Sequence, residues 1–172
     1  MRTTLLLTVI GADRTGLVET LAQRIAAAGG NWEESRLVRL AGQFGGLVLV
    51  TVDRERADQL VGDLRGLEST GLQVTARVVE QPAAAAATGT FLRLELTGAD
   101  RPGLVQKVSR ILAQHGVNVE ELESSIGSAP MSGEALFRAR ARVMVPNGVA
   151  LAPVRTALEA LGSELMVDLT PE

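Results

Sequence analysis

Residues 11–18 read GADRTGLV and residues 98–105 read GADRPGLV. The same octapeptide with one substitution, 87 positions apart in a chain of 172 residues, means two copies of one domain. The copies stay in step beyond it. Gly29 and Gly116 keep the offset, as do Asn31 and Asn118, then Glu33-Glu34 and Glu120-Glu121. The shared stretch is also where each copy is expected to do its work.

Around the octapeptide the pattern is the same twice. Leu5, Leu7 and Val9 alternate on one strand face, as Leu92, Leu94 and Leu96 do within a second strand, Phe91–Thr97. A helix follows each turn. Its apolar face is Leu17, Val18, Leu21, Ile25 and Ala28 in the first copy, and Leu104, Val105, Val108, Ile111 and Leu112 in the second. Gly29-Gly30 and Gly116 supply a left-handed stop. Next comes a strand from Asn31 to Leu40, a turn at Gln43–Gly46, and a strand over Leu47–Val52. A helix carrying Ala57, Leu60, Val61, Leu64 and Leu67 leads to a last strand, Leu72–Val79. The second copy repeats the order with a strand from Asn118, a loop at Gly127–Gly133 and a strand Ala135–Val145. A helix with Val154, Leu158 and Leu161 and a strand Glu164–Leu169 complete it. Each copy is expected to be β-α-β-β-α-β, so the fold class is α+β: two ferredoxin-like domains in tandem. Domain one covers 1–80 and domain two 90–172. The stretch 81–89, which has neither alternation nor a packing face, is the expected linker.

Composition narrows the function classes. The chain is 46% hydrophobic and 22% charged, the balance of a globular protein. With three Phe, one Trp, no Tyr and a net charge of −3, it has neither stacking surface nor basic footprint, so direct nucleic-acid binding is not expected. The absence of cysteine excludes disulfides and thiolate chemistry. No apolar run has the length of a membrane span. The run Leu5–Ile10 is brief and recurs mid-chain, so it is a strand and not a leader, and a cytoplasmic protein is expected.

A strand running into Asp100-Arg101-Pro102-Gly103-Leu104-Val105, with Asn118 opening the next strand, resembles an ACT domain. The first copy departs from that motif only at Thr15. The resemblance covers nearly the whole chain and implies a regulatory module that binds amino acids or other small ligands. Two such domains with no catalytic domain attached are similar to the glycine cleavage system transcriptional repressor family. That similarity implies a non-catalytic regulator of amino-acid metabolism, responsive to an amino acid such as glycine and acting through a protein partner. In ACT domains the ligand sits between the first loop of one domain and a paired domain.

The residues suit such a ligand, which presents a carboxylate beside an ammonium. Backbone amides around Thr15-Gly16-Leu17 and Pro102-Gly103-Leu104 open a helix, where free donors and the helix dipole favour an anion. Gly16 and Gly103 let a ligand approach the backbone, or simply allow close helix–sheet packing. Asp13 and Asp100 can accept from an ammonium, or close the turn by accepting from backbone amides. Asn31 and Asn118 can reach either ligand group from the neighbouring strand, or serve as turn residues. Pro102 also suits a first helical position. Arg14 and Arg101 are read as exposed partners of a nearby Glu.

Other features point elsewhere. Arg138, Arg140 and Arg142 share one face of a strand whose other face is Phe137, Ala139, Ala141 and Val143. They are read as a solvated face paired with Glu95, Glu121 or Glu123. Trp32 alternates with Asn31 and should face the core or a domain contact. The one histidine, His115, has no counterpart in the first copy, which has Ala28 there. Neighbouring Glu33-Glu34 and Glu120-Glu121 should face opposite ways, so no metal clamp is expected. GxGxxG and GxxxxGK[ST] are both absent. No catalytic residue, metal or cofactor is assigned, and an enzyme is not expected. Exposed edge strands invite pairing, which makes a homodimer the expected assembly. The competing readings are a ligand-free interaction or dimerisation module and a detached regulatory subunit of an amino-acid enzyme. Leu6, on the outer sheet face where the second copy has Arg93, suggests that one sheet face is covered and the other wet.

Overall fold

The structure, a computed structural model, describes residues 1–79, 88–129, 133–162 and 165–172. Most of the expected linker 81–89 lies outside these residues, as does Glu164. The chain divides into two compact units, Met1–Ala84 and Ala85–Glu172.

In the first unit β1 (Arg2–Ala12) leads to α1 (Leu17–Ala27), β2 (Asn31–Leu40) and β3 (Gln43–Asp53). Then come α2 (Arg54–Arg65), a 3₁₀ turn (Gly66–Thr70) and β4 (Leu72–Val79). The second unit runs β5 (Gly89–Ala99), α3 (Leu104–Gln114), β6 (Asn118–Ser128), β7 (Ala135–Pro146), α4 (Leu151–Glu159) and β8 (Met166–Pro171). The sheets have the orders β2-β3-β1-β4 and β6-β7-β5-β8, with antiparallel neighbours. Both units are therefore ferredoxin-like βαββαβ folds. Strands β5 and β7 run longer than their apolar cores suggest, because the ladder continues to Gly89↔Pro146 and Ala99↔Leu136 after the alternation has ended.

Each sheet buries one face. Leu5, Leu7 and Val9 of β1 and Val48, Val50 and Val52 of β3 pack with Leu21 and Ile25 of α1 and Leu60 and Leu64 of α2. In the second unit Leu92, Leu94 and Leu96 do the same with Val108 and Leu112 of α3 and Val154 and Leu158 of α4. Val18 and Val105 do not belong to this core; they are 47% and 43% exposed. One residue advances a helix by about 100°, so the neighbours of buried Leu17 and Leu104 fall on the flank. Gly29 and Gly116 stop their helices at φ 70° and 69°. Gly30 has a different reason: a Cβ there would lie 2.9 Å from Ile25 Cγ2.

The expected turn at Gln43–Gly46 is corrected. The hairpin turns at Ala41 and Gly42, with φ 50° and 76°, while Gln43 already pairs with Leu40. Two residues at positive φ form the mirror-image turn whose twist matches antiparallel strands. Gly45 and Gly46 are strand residues, glycine because backbone crowds them. A Cβ would lie 2.6 Å from the Val9 carbonyl oxygen at Gly45 and 1.9 Å from that of Arg36 at Gly46. The loop expected at Gly127–Gly133 is likewise shortened, since β6 runs through Ser128.

Candidate ligand-binding loops

Between β1 and α1, and again between β5 and α3, the chain makes the same turn. Gly16 and Gly103 precede the helices at φ 91° and 89°, in the left-handed region that favours glycine. Nothing lies within 4 Å of a Cβ built on Gly16, and on Gly103 only Gln106 Oε1, at 3.8 Å. Close packing is therefore not why these positions are glycine; the backbone conformation is. The first intrahelical bonds run from Thr20 N to Gly16 O at 2.9 Å and from Lys107 N to Gly103 O at 3.0 Å. The amides of residues 17–19 and 104–106 precede those bonds, and no side chain caps either helix. Leu17 and Leu104 are buried, so only their amides can serve a ligand. Thr15 and Pro102 lie exposed in the turn. Pro102 stands two residues before the first helical residue and not at it, since Gly103 must first supply the left-handed step.

The turns are anchored alike and charged differently. The Asp13 amide donates to the Gly42 carbonyl at 2.9 Å, and the Asp100 amide to the Ala135 carbonyl at 2.9 Å. The first ties its loop to the β2–β3 hairpin turn, the second to the start of β7. Neither carboxylate closes its turn through backbone amides. Asp13 Oδ2 instead takes Arg39 Nε at 2.7 Å. Arg39 faces Phe44 across the β2–β3 ladder, and Ile126 holds the equivalent place opposite Phe137. Among the described residues Asp100 consequently has no side-chain partner. Nothing in the octapeptide reveals this difference, because its cause lies on another strand.

Asn31 and Asn118 do not join the loops of their own domains. Asn31 pairs with Thr51, which pairs with Thr4, near the start of β1 and eight residues from Ala12. At about 3.4 Å per residue that is roughly 27 Å from the loop. The cause is the crossover: α1 carries the chain back to the end where β1 began. Both Asn side chains are engaged locally. Asn31 Nδ2 donates to Glu33 Oε1 at 2.9 Å, and Asn118 Nδ2 donates to Glu120 Oε1. Thr51 Oγ1 also donates to Glu33 at 2.7 Å, and these two bonds hold the Glu33 carboxyl below its usual pKa.

A second correction concerns the glutamate pairs. Register shifts between Trp32 and Glu34, and between Val119 and Glu121, insert one residue in each edge strand. Trp32 faces the core opposite Val50, while Glu33 and Glu34 both serve the outer face, Glu33 through Thr51 and Glu34 opposite Leu49. Among the described residues no group of three acidic or imidazole side chains could hold a metal. His115 is the C-cap of α3. Arg14 and Arg101 form no ion pair among the described residues, contrary to expectation, because both turns point them into solvent. The arginine stripe keeps one of its expected pairs, Arg140 with Glu95, whereas Arg142 takes the C-terminal Glu172 instead of Glu121 or Glu123. Arg140 Nε lies 3.4 Å from Glu95, and Arg142 binds Glu172 at 2.6 Å with its guanidinium 3.9 Å from the Phe91 ring centre. A groove of about 490 Å³ lies on this face, bordered by Glu95, Thr97, Glu123, Arg138 and Arg140.

The chain matches the ACT domain family model twice, over residues 3–78 and 90–170. It is 26% identical over 163 residues to the glycine cleavage system transcriptional repressor of Escherichia coli K12, spanning 94% of this chain and 85% of that protein. The repressor of Shigella flexneri matches to the same extent. The crystal structure of an unknown protein from Galdieria sulphuraria superposes with a TM-score of 0.84 at 30% identity, covering 100% of this chain and 99% of that one. A crystal structure assigned provisionally to a glycine cleavage system transcriptional repressor shares the fold, with a TM-score of 0.70 at 18% identity over 100% and 99% of the two chains. No helix among the described residues is long and apolar enough to cross a membrane. With both copies of the loop, both sheets and both family matches in hand, the chain belongs to the ACT domain family as a tandem pair.

Proposed function

We propose that the protein is a non-catalytic sensor of a small amino acid, with glycine the first candidate, and that it regulates amino-acid metabolism through a protein partner, at the level of transcription. The observation that carries this reading is the uncapped helix start behind a left-handed glycine, present in both domains. Three backbone donors there suit a carboxylate. The 26% identity to a glycine cleavage repressor over most of both chains supports the regulatory role.

The second domain is the better sensor. Asp100 is free to accept an ammonium beside the amides of Gly103 and Leu104 and the turn residue Pro102, whereas Arg39 already neutralises Asp13 near Thr15, Gly16 and Leu17. Asn118 stands at the far end of its own sheet and takes no part in this loop. Domain boundaries at 1–80 and 90–172 and a homodimeric assembly complete the reading.

Thermal unfolding against the twenty amino acids tests it. A ligand at 100 times its dissociation constant adds ~2.7 kcal/mol, a rise of several degrees. Asp100→Ala abolishes that rise, and Asp13→Ala leaves it in place. A flat response to every amino acid would leave the ligand-free interaction module as the function.

A further inference from the structure

The outer face of the first sheet, away from its helices, has an apolar centre. Leu6, Leu47 and Leu49 form a patch over β1 and β3, extended by Ile10 and Val38. Across the sheet one rung reads Glu34 on β2, Leu49 on β3, Leu6 on β1 and Arg77 on β4. An acid stands at one edge, a base at the other, and leucines between them. Glu34 has only a loose, exposed contact with Arg36 at 3.8 Å, worth little by itself. Arg77 is exposed and has no ion-pair partner among the described residues.

We propose that this face stacks on the same face of a second copy of the chain, about a two-fold axis that lies in the interface parallel to the strands between β1 and β3. The proposal rests on the homodimeric reading above and names its surface. Such an axis carries the β2 edge of one sheet over the β4 edge of the other. Glu34 then faces the partner's Arg77 at both ends of the rung, and Leu49 faces the partner's Leu6. An axis across the strands would instead set Glu34 over the partner's Glu34 or Arg36 and leave Arg77 without an anion. Aligned sheets pack about 10 Å apart with a rotation near 30°, which moves groups ~7 Å from the axis by only a few ångströms.

The size of the face fits. Four strands at about 4.8 Å and ten residues at about 3.4 Å span roughly 650 Å² before side-chain relief is counted. A stable interface covers about 800 Å² per partner. The edge of β2 is a poorer contact, because Glu33, Glu34, Arg36 and Arg39 place charge along it, the usual guard against edge pairing. The outer face of the second sheet is no substitute occupant: Arg93, Arg140 and Arg142 replace the leucines there, and covering them with hydrocarbon would strip their water.

Sedimentation over a dilution series tests the surface, with Trp32 fluorescence as the check that the first domain is folded. The expected species is a dimer. Leu6→Arg or Leu49→Arg raises its dissociation constant at least 100-fold. Arg77→Glu or Glu34→Arg raises it about 10-fold, each contact being made twice by the symmetry. The double reversal Glu34→Arg/Arg77→Glu returns it to within about 3-fold of the starting value. Since the chain has no cysteine, Glu34→Cys and Arg77→Cys proteins can be mixed and joined by a short bismaleimide. The mixture cross-links, and each protein alone does not. A monomeric wild type overturns both the dimer and the surface. A dimer indifferent to Leu49→Arg overturns the surface alone, and cross-linking of the Glu34→Cys protein to itself overturns the axis.

Discussion

The two domains share a backbone and a core, yet their outer sheet faces are chemical opposites. Where the first sheet reads Glu34, Leu49, Leu6 and Arg77, the second reads Glu121, Arg142, Arg93 and Thr170. On the next rung Arg36, Leu47, Thr8 and Thr75 stand against Glu123, Arg140, Glu95 and Asp168. The inner faces cannot diverge this way. Leu5, Leu7 and Val9, like Leu92, Leu94 and Leu96, are packed by helices, and a charge there would lose its water without gaining a partner. A duplicated fold thus keeps its inner alternation while its outer alternation is free to change. The difference locates partner chemistry: one face suited to burial, the other to water.

Moving second-copy residues into the first copy probes the comparison, and the largest effect is expected at Gly46. Its counterpart on the ladder is Ala139, facing Leu96 as Gly46 faces Val9. Gly46 has φ 148°, and a Cβ would stand 1.9 Å from the Arg36 carbonyl oxygen, a backbone atom that cannot swing aside. Gly46→Ala should therefore cost roughly 3–5 kcal/mol through strain in β2 and β3. Urea unfolding followed by Trp32 fluorescence reads the first domain alone, because Trp32 is the one tryptophan and packs on that core. A loss below about 1 kcal/mol would mean that β2 shifts freely, and the two ladders would be less alike than their registers indicate.

How far the sequence reveals this molecule depends on the range of each interaction. The repeated octapeptide and the period-two leucines give the element order, since strand alternation and helical spacing are written locally. The limits of β2 at Asn31 and Leu40, and of β4 at Leu72 and Val79, are legible for the same reason. The hairpin turn is less so. Gly45-Gly46 looks like a turn until the carbonyls of Val9 and Arg36, both on other strands, are seen to crowd it. The bulge after Trp32 cannot be read from alternation, because the inserted residue is defined only by the partner strand. The loops are legible as backbone, through Gly16 and Gly103, but not as electrostatics. Arg39 lies 26 positions beyond Asp13, and only the fold shows that they meet.

That pair supplies the next test. Arg39→Ile installs the residue of the second copy, Ile126. Arg39 is 70% exposed and Asp13 32%, so losing the 2.7 Å contact should change stability by only ~0.2–1 kcal/mol. Its effect on binding should be larger than its effect on folding. Freed of its cation, the Asp13 carboxylate becomes available to an ammonium as Asp100 is. Titration calorimetry with the amino acid that stabilises the protein should then rise from one site per chain towards two. An unchanged stoichiometry would show that something besides Asp13 separates the loops.

The smallest effect concerns Glu33, whose counterpart Glu120 also accepts from an asparagine but faces no hydroxyl, because Met144 stands where Thr51 does. Hydrogen bonds from Thr51, then Asn31, lower the Glu33 pKa in the folded protein. A carboxylate whose folded pKa is lowered contributes its stabilisation in full above the unfolded value. That contribution disappears as the pH falls through the folded value. Thr51→Met removes the larger of the two causes, so the Glu33 titration followed by carboxyl carbon NMR should move upward, while Asn31→Ala moves it less. A larger response to Asn31→Ala would make the asparagine, present in both copies, the main anchor of this glutamate. The bulge would then rest on a contact the two domains share, and Thr51 would be incidental to it.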